Sequence, residues 1–297
     1  MKKYVVCDIG GSSIKYGLMD EERHFIDKGK IATPKSLGEL YQTLTSIYQH
    51  YDDVAGVAIS MPGALDPERG YTYTSGALGY YNNTEFVKEL SAYIPVPITI
   101  GNDAKCAANA EVGYGALKDV DDAYVIVLGT GIGGCLVMNH KVVPGKHFAS
   151  GEVSGLLTDY HHPKNVKDVW ATRCGIQGLL EHVQEALGEE IQLSGIEIFE
   201  RANHGDEKVI AGIDAFAREV AIQIININTI VDLERVAIGG GISVQPLLLQ
   251  LIQKNYDDIY HYYQQYAFPW AKVEIVNCQF NNDANLIGAL YQHLISE

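Results

Sequence analysis

Two short glycine runs, more than a hundred residues apart, are each framed by strands. YVVCDI (4–9) is apolar and β-rich, GGSS (10–13) turns the chain, and IKYGLMD (14–20) reads as a second strand. The plan restarts with AYVIVLG (123–129), the turn TGIGG (130–134) and the strand CLVMNHKVV (135–143). Such β-branched runs bounded by glycine are the signature of buried strands joined in a hairpin. A chain that opens two stretches of its length in the same way carries an architectural repeat, not a short-period solenoid.

The segments after each hairpin alternate as they do in α/β proteins. HFIDKGKIA (24–32) supplies a further strand. Ser36 and Glu39 form a capping-box pattern, after which Leu37, Leu40, Tyr41, Leu44, Ile47, Tyr48 and Tyr51 follow a helical rhythm. VAGVAIS (54–60) reads as a strand ending in the turn MPG, 66–83 as loop, 84–94 as a short helix, VPITI (96–100) as a strand and 103–112 as a helix. In the second stretch, helices are expected at 168–187, 194–202, 206–230 and 245–266, with strands at 234–239 and 272–276 and a closing helix from 281. The boundary falls near 113–122, giving a first lobe over 1–115 and a second over 116–280, with the helix of about 281–297 packing back on the first lobe. No low-complexity linker separates them, so a hinged cleft between lobes is expected.

The stretch GTGIGG (129–134) matches the letter of a dinucleotide fingerprint. That fingerprint must open a helix, because the pyrophosphate rests on the helix N-terminus. Here a strand follows. No glycine run ends in Gly-Lys-Ser/Thr, so a Walker A loop is absent. What remains is a pair of hairpin turns carrying hydroxyls, Ser12 and Ser13 in one and Thr130 in the other, and a third glycine cluster at Gly239, Gly240 and Gly241. Glycine lets backbone N–H groups approach a phosphate closely. One such turn is most simply an ordinary hairpin; the matched set points to a bound nucleotide.

GNDAKCAANA (101–110) raises a different question. Asp103 lies between an apolar strand and an alanine-rich helix, where Asp is a favoured N-cap. A carboxylate there is also placed to take a proton, and the helix N-terminus favours its charge. The formal net charge of −15 disfavours nucleic acid and anionic lipid as partners. No apolar run reaches the length of a membrane span. Five scattered cysteines (7, 106, 135, 174 and 278) without a C-x-x-C pair suit a reducing cytoplasm.

In order, DIGGSSIKYGLMD, SMPGALD, GNDAKCAANAE, VIVLGTGIGG with KVVPG and SGEVSG, VAIGGGIS and D-x-x-LIGAL resemble the ROK family of sugar kinases over nearly the whole chain. The resemblance implies an α/β, two-lobed actin/hexokinase/Hsp70-like (ribonuclease H-like) fold with ATP in the interlobe cleft. It implies that Asp8, Gly10, Gly11, Ser12, Ser13 and Lys15 form the first phosphate and magnesium region, with Asp8 acting through magnesium-bound water. Thr130 and Gly131 match the second phosphate loop, and Gly239, Gly240 and Gly241 the adenosine side. Asp103 matches the catalytic base; Asn102 and Glu152 match sugar-hydroxyl ligands; Gly76, Ala77 and Leu78 fall in the sugar-facing loop. The residue types suit phosphoryl transfer to a hydroxyl: a positioned carboxylate base is worth ~10²–10⁴-fold, and the rest is positioning and charge neutralisation. A homodimer is what the family implies.

The chain departs from the family at its zinc site. The histidine position is Gly155, and of the C-x-C-G-x-x-G-C run only Cys174 survives, with Thr172 and Leu179 in the other places. A Cys₃His site cannot form, so no zinc is expected. His161, His162, Cys174 and His182 are the nearby candidates for any substitute, against ordinary surface or packing roles, and Val166, Val169 and Trp170 would hold the segment by packing. Glu181 matches a sugar-contacting glutamate, but a solvated helix face suits it equally well. Zinc-less members include the bacterial β-glucoside kinases, which phosphorylate the 6-hydroxyl of a glucose unit. Tyr71, Tyr73, Tyr80 and Tyr81 could pack on a second ring, or simply pack. Glucokinase and N-acetylmannosamine kinase are the rivals. Because the first strand starts at residue 4, the DNA-binding domain of ROK repressors is not expected. A non-catalytic sugar sensor is the remaining alternative.

Overall fold

A computed structural model describes residues 1–159, 161–189 and 193–296, with the backbone alone for Ala77 and Val166. The proposed packing role of Val166 therefore lies outside the described side chains. The chain forms two compact units. One comprises Met1–Lys118, Val142–Ser150 and the chain from Asn282 onward; the other comprises Asp119–Lys141 and Gly151–Asn281.

The first unit contains strands β1 (Lys3–Ile9), β2 (Ser13–Asp20), β3 (Phe25–Ala32), β4 (Val54–Met61), β5 (Leu65–Asp66), β6 (Tyr71–Thr72) and β7 (Ile98–Asn102), and helices α1 (Leu37–Gln49), α2 (Phe86–Leu90) and α3 (Asp103–Tyr114). Its main sheet runs β3-β2-β1-β4-β7, antiparallel across β1, β2 and β3 and parallel across β1, β4 and β7. Ser36 caps α1 by accepting from the Glu39 N–H, and Glu39 returns a bond to the Lys35 N–H. The helical rhythm of its sequence buries Leu40, Tyr41, Leu44 and Ile47 against this sheet. Full burial of each such aliphatic side chain contributes about 1.5–3 kcal/mol.

The second unit holds β8 (Ala123–Leu128), β9 (Ile132–Met138), β11 (Arg235–Gly239) and β12 (Glu274–Asn277), together with the first residue of β10 (Lys141–Val142), and α4 (Trp170–Arg173), α5 (Ile176–Leu187), α6 (Gly195–Asn203), α7 (Glu207–Val231) and α8 (Pro246–Gln264). Its sheet order is β10-β9-β8-β11-β12, and the directions of β9, β8, β11 and β12 repeat those of β2, β1, β4 and β7. One core joins the sheet residues Ile126, Val236 and Ile275 to Phe216 and Ile224 of α7 and to Ile252 and Tyr256 of α8.

Two readings of the sequence need correction here. The strand expected through 143 breaks after Met138, because Asn139 and His140 turn the chain with positive φ, 51° and 58°. Both residue types tolerate that left-handed region better than most. The helix expected over 168–187 is divided. Cys174 is extended and Gly175 sits at φ 132°, where only glycine is comfortable, so α5 starts afresh at Ile176.

The last helix, α9 (Ala284–Ser296), belongs to the first unit. Gly288 lets it lie directly on the α3 backbone at Cys106 and Ala110, where any Cβ would overlap. Gln292 Nε2 donates to the Ile100 carbonyl (2.9 Å), and the buried His293 ring meets the Thr99 hydroxyl (3.0 Å).

Candidate active site

In the first unit the β1–β2 hairpin places Asp8 directly across from Lys15, on one face of the sheet. Asp8 is only 9% exposed. Its Oδ1 accepts from the hydroxyl of Ser60, at the matching position of β4 (3.0 Å), and from the amide of Asn285 in the first turn of α9 (2.9 Å). Among the described residues its Oδ2 accepts nothing. Burial and the adjacent Asp8 charge push the Cys7 thiol up to about 12, so it remains a neutral core group. The Lys15 ammonium reaches the Asn282 carbonyl (3.3 Å). Gly10 closes the turn by donating to the Ser13 carbonyl (3.0 Å), while Thr33 braces it from β3's end through the Gly10 and Ser12 carbonyls. Gly11 and Ser12 are exposed at the tip, and a Cβ at Gly11 would meet nothing.

The strand-to-helix joint at β7–α3 assigns capping differently from the simplest sequence reading. Asn102 is the N-cap, its Oδ1 accepting from the Lys105 N–H (3.1 Å) while its Nδ2 donates to the Gly63 carbonyl (3.0 Å). Asp103 is the first helical residue, and its Oδ1 accepts from the Ala104 N–H (2.8 Å). It is half-buried at the positive end of the helix dipole, which favours an anionic side chain. The MPG turn that Asn102 holds contains Gly63 at φ 112°, packed against the Thr74 backbone. From there the chain reaches the short helical turn Gly76–Leu78. The side chain of Ala77 lies outside the described residues.

The tyrosines of this loop separate into different roles. Tyr81 is fully buried and donates to the Pro62 carbonyl (3.0 Å), so it packs in the core and presents no face to a ligand. Burial, with Tyr80 and Asp103 nearby, raises its pKa further above the usual phenol value. Tyr80 is half-buried. Tyr73 stacks on Phe148 (centroids 5.5 Å, 24°) and meets Tyr71 edge-on (4.9 Å). Phe148 comes from 142–150, the segment that leaves the second unit's sequence to join the first. That segment is also tied to α3, where Lys105, two residues after Asp103, donates from Nζ to the Ser150 carbonyl (3.3 Å). Phe148 has φ 61°, an uncommon conformation for a bulky residue.

In the second unit only residues 129–131 of GTGIGG form the hairpin turn between β8 and β9; Ile132, Gly133 and Gly134, expected in the turn, already pair within β9. Gly129 donates to the Gly131 carbonyl and accepts from Ile176 N–H at the start of α5, both at 2.9 Å; Thr130 is exposed. Gly239 ends β11, and Gly240, at φ 95°, abuts the Leu128 carbonyl too closely for any Cβ. Gly241 is exposed with open space around its Cα. Glu152 is exposed and caps its own short turn by accepting from Ser154 N–H (3.3 Å). Glu181 lies on the exposed face of α5, beside Gln177 (3.3 Å).

Around the positions of the missing zinc ligands the chain is held differently. Trp170 is fully buried, Cys174 is buried, and Val169 bridges to Leu157. Burial and the Glu219 charge raise the Cys174 pKa. Glu219 of α7 accepts from Arg173 (2.6 Å) and lies 3.4 Å from His182. His162 pairs with Asp159 (2.6 Å). Among the described residues no three His, Cys, Asp or Glu side chains gather to hold a metal. Among them, too, no helix is long and apolar enough to cross a membrane.

The ROK family model matches residues 4–294. The chain belongs to the ROK family. A β-glucoside kinase of Klebsiella pneumoniae is 27% identical across 97% of this chain and 95% of its own. An N-acetyl-D-glucosamine kinase of Vibrio atlanticus is 28% identical across 85% and 88%. Among solved structures, a ROK family protein of Streptococcus pneumoniae, in complex with sucrose, superposes with a TM-score of 0.88 at 28% identity, covering 99% of this chain and 98% of that one. The fold is accordingly the actin/hexokinase-like one of ROK sugar kinases.

Ser60, Asn285 and Phe148 are the residues at this site that sequence reading did not single out. Ser60 and Asn285 stood inside quoted motifs, SMPG and D-x-x-LIGAL, but nothing in the order of residues brings either to Asp8.

Proposed function

We propose that this ROK sugar kinase transfers the γ-phosphate of ATP to the 6-hydroxyl of a glucose unit in a β-glucoside such as cellobiose. The observation that carries the reaction is the division of labour at β7–α3. Asn102 takes the capping role, and Asp103 stands beside it as a half-buried carboxylate at a helix N-terminus. In this reading Asp103 accepts the sugar proton as the hydroxyl attacks, a role worth ~10²–10⁴-fold. Asn102, Glu152 and the Gly76–Leu78 turn contact sugar hydroxyls. Glu181, on its exposed helix face, is the weakest member of that set.

The nucleotide is assigned to Gly10, Gly11, Ser12, Ser13 and Lys15, to Thr130 and Gly131, and to Gly239, Gly240 and Gly241. Gly11 and Gly241 support this: each is exposed, neither has a positive φ, and a Cβ on either would touch nothing. The fold itself does not call for glycine there, whereas a phosphate or ribose approaching the backbone does. Asp8 fits a magnesium ion that keeps its waters, because among the described residues Oδ2 has no protein partner and the residue is nearly buried. Such an ion would neutralise charge on the phosphates.

For the acceptor, β-glucoside kinases from two genera are among the relatives. The Tyr73–Phe148 stack adds an apolar aromatic surface beside the α3 end of the site, of the kind a sugar ring or aryl aglycone packs on. The test is an ATP-coupled assay with glucose, cellobiose, arbutin, N-acetylmannosamine and N-acetylglucosamine. A β-glucoside should give the highest kcat/KM, and preference for either free N-acetylhexosamine overturns the acceptor assignment. Turnover with none of the sugars would favour a sensor. A homodimer acting in the cytoplasm, without zinc, completes the proposal.

A further inference from the structure

We infer that the first turn of α9 is a positioning element for the phosphate end of the site, acting through Asn285 on Asp8. The inference rests on the assignment of Asp8 to the magnesium side of a kinase site. Among the described residues, the side-chain donors to Asp8, Ser60 and Asn285, converge on the same oxygen, Oδ1. A carboxylate held twice on one oxygen has a single allowed orientation, and its second oxygen stays available. An amide turned the other way would put its carbonyl against that oxygen, so the donor orientation of Asn285 follows from its neighbour.

The same segment also handles the nearest cation. Lys15 is the register partner of Asp8, where a direct ion pair between the two would be the simplest outcome. Its ammonium is instead drawn to the Asn282 carbonyl, three residues before Asn285. Asn282 and Asn285 thus hold the Lys15 ammonium and the Asp8 carboxylate on separate partners. The segment can do this because it is fixed from several sides: Lys28 pairs with Asp283 (2.6 Å), and Gly288 seats the helix on α3. Asn285 is thus assigned a positioning role, exerted through Asp8.

The test uses full-length protein carrying Asn285→Ala, with Ser60→Ala as a second variant that removes the other donor. The Mg²⁺ concentration giving half-maximal rate should rise about tenfold in Asn285→Ala, the usual scale for losing a partner of a metal-site carboxylate. Sugar KM and melting temperature should stay at wild-type values. A Mn²⁺ titration with a non-hydrolysable ATP analogue, read by water-proton relaxation, should show the same weakening without turnover. Ser60→Ala should move both readings in the same direction. Unchanged Mg²⁺ dependence and Mn²⁺ binding in Asn285→Ala would overturn the inference, as would losses that track a fall in melting temperature and a rise in sugar KM. If the wild type phosphorylates no sugar, the kinase assignment fails on its own, and the Mn²⁺ titration still decides whether Asn285 positions Asp8.

Discussion

The two sheets share the order and direction of four strands, yet their equivalent turns carry opposite chemistry. In the first, the last residue but one of β1 is Asp8, and its neighbour on the next parallel strand is Ser60. In the second, the corresponding pair is Val127 and Gly239. One copy of the plan presents a carboxylate braced by a hydroxyl. The other presents an apolar side chain beside bare backbone. The repeated scaffold therefore supplies two similar hairpins, and the residues at two registered positions put a braced carboxylate in the first unit and uncharged groups in the second.

The sharpest break of that contrast is Asp103→Asn. If the reacting chemistry resides in the first unit, kcat should fall by ~10²–10⁴-fold while sugar binding by calorimetry is retained. Turnover near wild type would remove Asp103 from its role. A second comparison sets glycines of the two turns against each other. Gly240→Ala meets the Leu128 carbonyl at positive φ, and unfolding in urea should show a loss of about 2 kcal/mol or more. Gly11→Ala meets nothing, so its stability should stay within about 0.5 kcal/mol of wild type. An increased KM for ATP in that stable variant would mark Gly11 as a ligand-facing position.

A smaller effect is expected at the acceptor side. Tyr73→Ala removes half of the stack with Phe148, and kcat/KM for cellobiose should drop about tenfold, the worth of one good aromatic contact. The value for glucose should hardly change; equal losses for both sugars would make the pair a packing feature only. The smallest effect concerns the second unit. Burial pushes the Glu219 carboxyl up, but bonds and charge from His182 and Arg173 outweigh it, leaving it below its ordinary value of 4.5. A depressed carboxyl contributes stability above that ordinary value and loses it as the pH falls through the folded one. Glu219→Gln should therefore flatten the acid limb of the unfolding free energy plotted against pH, by less than about 1 kcal/mol. An identical acid limb would show that the cluster contributes nothing.

Much of this was readable from the order of residues, for local reasons. Hairpins announce themselves through apolar strands and glycine, and α1 through its cap and helical rhythm. The cap of α3 was harder, because Asn and Asp cap almost equally well and stand side by side at 102 and 103. Periodicity continued across Cys174–Gly175, so only the backbone shows that α5 begins anew. Tyr81 gave no signal of burial, since a loop has no period to read. The contacts of Asp8 with Ser60 and Asn285 were out of reach, as they depend on parallel-strand register and on a helix 277 residues away. The transfer of 142–150 to the first unit was equally hidden, because its neighbours in sequence belong to the second.

The placement of α9 has a consequence for how the chain is made. A ribosome delivers the first unit's sheet early and its final helix last, at roughly 5–20 residues per second. Until that helix emerges, the Gly56 side of the sheet lacks His293, α3 lacks its partner, and Asp8 has only one of its two donors. The nascent first unit is therefore an unfinished fold until α9 has been made and has packed onto the sheet and α3.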